Sequence, residues 1–288
     1  MPFQLKSGDL LYTDADLPLL TGPDAGLRGL LPRETHPQFA RCGSAPGVPE
    51  FTEPNIPRSE WTERIQEMEA KQELVSDLIT WPSKYQTINY CWIFAPVGLM
   101  EVVRVVMGLP YVELSPASGG GPITDYRDVG GYGISAVTYL AKTGCCKASL
   151  WPNNAISRQY DTAASQADRL NYKITGWCDV GTRKFDAQMS HLLRRRPGIG
   201  GHDWWQHEVF HCDPVVMLSR DYTAAVWRAM FGRNAELTQY GARIRNSWSD
   251  ALYGSKNRHG VGGFGVLAEN KATAEDYQTI VQTTASET

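Results

Sequence analysis

Apolar and polar positions change rhythm several times along the chain. From Ser59, the stretch SEWTERIQEMEAKQELVSDLIT places Trp61, Ile65, Met68, Leu74, Val75 and Leu78 near helical spacing. Ser59 is placed to cap this helix, Glu60 and Glu63 fall in its first turn, and Pro82 bounds it, which predicts a linking helix over 59–79. The next periodic stretch, CWIFAPVGLMEVVRVVMG from Cys91 to Gly108, is apolar nearly all round. That pattern predicts a helix buried in the centre of a domain, despite Pro96 near its beginning. ISAVTYLAKTG predicts a shorter helix ending near Gly144, and ISRQYDTAASQADRLNY mixed, mostly helical structure. RKFDAQMSHLLRRR predicts a surface helix carrying His191 and stopped at Pro197 and Gly198. Beyond it the rhythm shortens: HEVFHC, VVML, GARIRNSW and GGFGVLA are strand-like pieces divided by turns. Helices early and strands late predict an α+β protein whose two halves pack together, with a cleft between them.

The first 58 residues follow neither rhythm. Runs such as LPLLTGPDAG, GLLPRETHP and CGSAPGVPEFTEPNIP punctuate the backbone too often for long helices or central strands, so an extended or irregular arm is expected over 1–58. With 28 Lys+Arg against 31 Asp+Glu in 288 residues, the chain has no global electrostatic preference for nucleic acid or membrane. Arg194, Arg195 and Arg196 read as a solvated helix end. No apolar run is long enough for a membrane span, and the N-terminus lacks the pattern of a secretory signal, so synthesis in the cytoplasm is expected. Six cysteines are too sparse for a disulfide framework in a chain of this length.

The chemistry centres on QTINYCWIF. A cysteine opening a helix has free backbone N–H groups directed at its sulfur, which favour a thiolate and can receive an oxyanion. Gln86 can add a side-chain donor to that hole. A base comes from GGHDWWQHEVFHC, where His207 is the first choice, His202 the alternative and His211 the third. Asn246, in RIRNSWSD, can orient the imidazole, with Trp248 shielding that bond from water. His202, His207, His211 and Cys212 also have the ligand types of a zinc site, as do Cys145 and Cys146. The strand-like character of 207–212 would spread the first set along the backbone, and adjacent cysteine side chains diverge, so no metal is expected.

These motifs resemble the papain-like cysteine peptidases. QTINYCW matches the family's Q…CW element, with one residue fewer between Gln86 and Cys91, and NSWS matches its NSWG element except at Ser249. YGSKNRHGVGGFGVL is similar to the closing WG…GYG segment, with Tyr253 in place of tryptophan. DVGGYGISAVTYLAKTG resembles the glycine pair and helix lining the substrate cleft, which implies a backbone-binding role for Gly131 and a neighbouring one for Gly130. The resemblance implies a two-lobed fold over 80–275, with a buried central helix in a helical lobe and a mainly antiparallel β lobe. It implies an insertion near 219–240 between the His-bearing and Asn-bearing strands, and leaves 276–288 as a C-terminal tail.

The implied activity is peptide-bond hydrolysis through a thioester. Cys91 is the nucleophile, of depressed pKa and with its sulfur within reach of a His207 nitrogen; Asn246 orients the ring and Gln86 serves the oxyanion. Trp248, Gly130 and Gly131 line the substrate site, and no cofactor is needed. The expected partner is a peptide or protein substrate, with the arm docking across its own cleft or onto another subunit. The alternative is a structural or binding component of a larger assembly, such as a virus particle, with weak or no catalysis.

Overall fold

Trp61, Ile65 and Met68 lie one helical turn apart and are all buried, which fixes the inner face of a helix that begins earlier and ends sooner than its periodicity predicts. The structure is a computed structural model that describes residues 2–21, 28–38, 52–248 and 254–285. Its helices are α1 (Leu17–Thr21), α2 (Arg58–Ala70), α3 (Cys91–Val106), α4 (Pro116–Ile123), α5 (Gly133–Lys142), α6 (Ala163–Arg169), α7 (Phe185–Leu192), α8 (Ala224–Phe231) and α9 (Glu269–Ala272). The strands are β1 (Phe3–Gln4), β2 (Leu10–Tyr12), β3 (Ile174–Asp179), β4 (Gly198–His202), β5 (His207–Leu218), β6 (Thr238–Arg245), β7 (Phe264–Ala268) and β8 (Asp276–Thr283).

The strands form one sheet in the order β1-β2-β7-β6-β5-β4-β8-β3, antiparallel throughout except between β2 and β7. Alternation along β5 divides its side chains between two cores. Phe210 and Cys212 pack with α3, whereas Val209 joins Trp61, Phe185, Met189 and Trp248 beneath α2 and α7. Pro214 is tolerated inside β5 because β4 pairs only as far as His211, so the missing N–H there costs no ladder bond on that side. α3 is buried from Cys91 to Arg104, and its one carboxylate, Glu101, is satisfied by Lys84 Nζ at 2.7 Å and the Leu114 N–H at 2.7 Å. A helical lobe and a mainly antiparallel β lobe meet along α3.

Several expectations change at the chain ends. Residues 276–283, expected as the start of a tail, form β8, paired with β4 on one side and β3 on the other. Part of the expected irregular arm forms β1 and β2 at the sheet edge, where Leu11 and Tyr12 are buried. The expected insertion at 219–240 contains α8 and the beginning of β6. His191, expected on a surface helix, is buried. Among the described residues no helix is long and apolar enough to cross a membrane.

Candidate active site

The hairpin joining β4 to β5 turns through Asp203–Gln206, with Gln206 at a φ of 51°. It delivers His207 to the first position of β5. There Nε2 lies 2.8 Å from Asn246 Oδ1, directly beyond the end of β6. The His207 ring sits 4.4 Å from the Trp248 ring and 4.9 Å from that of Trp205, so the bond to Asn246 is closed off from water. Asn246 is itself held through its main chain, the N–H donating to Gly263 O at 2.9 Å and the carbonyl accepting from the Ser83 hydroxyl.

His202 is placed differently. Its Nε2 faces His211 Nε2 at 3.1 Å, the two rings stacked and buried. Of the three histidines weighed as a base, His207 alone is bonded to Asn246. No group of three metal-ligating side chains occurs among the described residues.

Cys91 opens α3, as its junction between polar and apolar sequence predicts, and is fully buried. Its sulfur is met by backbone groups of Glu208, Gly29 and Leu30. The expected hydrogen bond to His207 is not formed: Nδ1 of His207 is buried without a partner among the described residues. The expected depression of the thiol pKa is reversed as well. Burial, then the nearby Glu208 carboxyl, push Cys91 up to about 12, and burial pushes His207 down to about 3 against the opposing bond from Asn246. A helix N-terminus contributes only ~0.3–2 kcal/mol, too little to offset loss of water around a thiolate. In this state the two groups are a neutral thiol and a neutral imidazole.

The cover is the chain's own N-terminal segment. Gly131 N–H donates to Gly29 O at 2.8 Å, and Leu31 N–H donates to Gly131 O at 2.8 Å, so the arm pairs with Gly131 as a short parallel strand. Leu30 N–H also donates to Gln206 O at 3.3 Å, next to His207. Further along, His36 Nε2 lies 2.9 Å from Ser135 Oγ, and Thr35 Oγ1 lies 3.1 Å from the Tyr132 hydroxyl. On the other side of the histidine, Trp205 Nε1 donates to Leu20 O in α1 at 2.9 Å. A Cβ at Gly130 would stand 2.6 Å from Gly29 O, and one at Gly131 would enter the Trp92 ring at 2.4 Å. The first glycine admits the arm; the second also admits the core.

Gln86 is buried beside the site. Its Nε2 donates to Ile88 O at 2.7 Å, and its Oε1 accepts from Ser247 Oγ at 2.8 Å. Ser249 and Tyr253 lie outside the described residues.

With this geometry in view, comparison with solved structures is informative. Xylellain, a cysteine protease from Xylella fastidiosa, matches with a TM-score of 0.54 and 15% identity, over 88% of this chain and 96% of its own. ProCathepsin B S9 from Trypanosoma congolense matches at 0.55 and 11% identity, over 90% and 87% of the two chains. Digestive procathepsin L 3 of Tenebrio molitor larval midgut matches at 0.53 and 13%, over 93% and 79%. This chain has the fold of the papain-like cysteine proteases. No family model matches it, and no curated protein matches it in sequence.

The sequence motifs single out Cys91, His207, Asn246 and Gln86, of which His207 and Asn246 are hydrogen-bonded to each other. They do not reveal the residues that seat the arm. Gln206 O, Arg33, Asp179, Glu208 and Asp276 lie outside the matched motifs, and only Glu208 carries a sequence signal, as a large acid directly after the histidine where the family has a small residue.

Proposed function

We propose that the chain is a cysteine-dependent hydrolase of peptide bonds, held latent by its N-terminal segment. The observation that carries this reading is the buried 2.8 Å bond from His207 Nε2 to Asn246 Oδ1, which leaves Nδ1 for the sulfur while Cys91 stands at the open end of α3. Withdrawal of Gly29 and Leu30 returns water to the cleft and removes the main cause of the raised thiol pKa. The proton then passes from Cys91 to His207, and the thiolate attacks a carbonyl. Backbone N–H at Cys91 and the side-chain amide of Gln86 stabilise the oxyanion, and His207 gives its proton to the leaving amine. Water, activated by the same imidazole, releases the acyl group. Gly131 offers an extended substrate the backbone edge that the arm uses here.

The test is turnover of an unstructured protein by the full chain under reducing conditions, with and without limited proteolysis of the arm. Cleavage that appears on arm removal and is lost in Cys91→Ala and His207→Ala supports the reading; Asn246→Ala retains a larger residue of activity. No cleavage by either form, with Cys91 still slow to alkylate after arm removal, overturns it in favour of a binding or structural role.

A further inference from the structure

Three consecutive glycines, Gly119, Gly120 and Gly121, lie inside α4, where glycine is a poorer helix former than any residue but proline. Of the three, Gly120 has no room for a side chain. A Cβ there would stand 2.7 Å from the ring of Tyr90, whereas at Gly119 and Gly121 it would meet its nearest neighbours at 3.2 Å and 3.4 Å. Tyr90 is fully buried and directly precedes Cys91, and its carbonyl accepts from the N–H groups of Ile93 and Phe94, both at 2.9 Å, as α3 begins. The glycine helix thus seats a ring whose backbone opens the helix that carries the nucleophile.

The same ring reaches into the loop between α4 and α5. Its hydroxyl donates to the Arg127 carbonyl at 2.8 Å and bonds to Thr124 Oγ1. One residue earlier, the Asn89 N–H donates to Asp128 Oδ1 at 2.7 Å. On the other side of Cys91, the Trp92 indole lies against Gly131. The loop turns toward these partners through Asp125 and Tyr126, two successive non-glycine residues in the left-handed region, at φ values of 51° and 58°. The segment from Asn89 to Trp92 therefore meets this loop at Thr124, Arg127, Asp128 and Gly131. The loop ends in the backbone edge with which the arm is paired.

We infer that Tyr90 and Asp128 are positioning residues that hold the Gly131 edge in register with Cys91, so that an extended peptide paired to that edge presents its carbonyl to the sulfur. The inference rests on the hydrolase reading and deepens it by naming what sets the distance between the peptide-binding edge and the nucleophile. Neither side chain touches the reacting atoms. Their contribution is to geometry, on which attack by a held nucleophile depends steeply.

Two reagents for Cys91 test this in the full chain with the arm unlatched. In the arm, Arg33 donates through Nη1 to Asp179 Oδ1 at 2.8 Å and to Asp276 Oδ1 at 2.7 Å, and through Nη2 to Asp179 Oδ2 at 2.6 Å. The side chains of all three are sealed, at 2%, 0% and 4% exposure, and Arg33→Met removes this anchor to give the parent protein. Iodoacetamide needs only the sulfur. An acetylated dipeptidyl chloromethyl ketone must also lie along Gly131 to bring its methylene carbon to the sulfur, which displaces chloride. Each rate is divided by that of the same reagent with a free thiol, and the parent is expected to favour the peptidyl reagent at least ~100-fold. Tyr90→Phe keeps the ring on Gly120 and removes only the hydroxyl. This change and Asp128→Ala are each expected to lower the preference at least ~10-fold, with the iodoacetamide rate within ~2-fold of the parent. Asp128→Asn, whose amide oxygen can still accept from Asn89, is expected to keep the parent preference. An equal fall in both rates overturns the inference, because it marks a general loosening of α3. A parent with no preference for the peptidyl reagent overturns the hydrolase reading and the inference together, whereas a preference that survives Tyr90→Phe and Asp128→Ala overturns the inference alone.

Discussion

The two ends of the arm-filled cleft are buried to the same depth but balanced in different ways. At the Cys91 end the arm brings main chain, Leu30 and the charge of Arg28; burial drives the thiol up to about 12, and burial, with Arg28 adding to it, drives His207 down to about 3. At the Arg33 end burial also pushes Asp276 up, but a full positive charge opposes it directly. Burial silences the first pair of groups, while ion pairing anchors the cover that silences them. One segment therefore acts as an insulator at the sulfur and as a latch several residues away.

The largest effect should come from breaking the latch on one side. Arg33→Met leaves two buried carboxylates without their cation, a change worth ~3–5 kcal/mol in comparable buried pairs. Most of it should fall on the arm's docking equilibrium. The expected outcome is a rise of at least ~100-fold in the alkylation rate of Cys91, followed by mass spectrometry. A rate unchanged from wild type would show that the main-chain contacts at Gly131 hold the arm alone.

The adjacent glycines sharpen the contrast between cover and core. Gly131→Ala drives a methyl group into the buried Trp92 ring and should lower global stability by ~1–3 kcal/mol, seen in denaturant unfolding. Gly130→Ala meets chiefly the arm at Gly29 O, and should raise Cys91 reactivity with a smaller loss of global stability. If the two variants unfold alike, the arm and the core are one cooperative unit.

A smaller effect separates burial from pairing by pH. Burial pushes His211 down to about 3, so its neutral form contributes stability above the ordinary imidazole pKa near 6.5, and that contribution is lost as pH falls toward 3. In His211→Gln the unfolding midpoint should therefore fall less steeply between pH 6.5 and 4 than in wild type. Parallel curves would mean that folding leaves the His211 pKa where it is in the unfolded chain.

Much of this arrangement is legible in the sequence. The start of α3 at Cys91 follows from a polar-to-apolar junction, and β5 and β6 from short apolar runs between turns. β8 was missed because DYQTIVQT carries several polar residues, which the fold accommodates by bonding. Thr279 Oγ1 donates to Pro197 O at 2.9 Å, and the Gln278 amide bonds to Asp276. β1 and β2 were missed because strands of two and three residues are too short to establish a period. The latch was invisible for a different reason. Arg33 is 146 positions from Asp179 and 243 from Asp276, and no local pattern joins three residues that only the sheet brings together.

The most direct test of the account is the pH profile of Cys91 alkylation in wild type and in Arg33→Met, each with and without His207→Ala. A covered neutral thiol should label slowly, gaining ~10-fold per pH unit between pH 6 and 9, whereas the unlatched protein should label rapidly and nearly independently of pH across that range, because imidazolium now holds the thiolate. His207→Ala should return the unlatched protein to the steep profile. If Cys91 stays slow and steep after unlatching, or if its flat profile survives loss of His207, the claim that the arm holds apart a working cysteine–histidine pair is wrong.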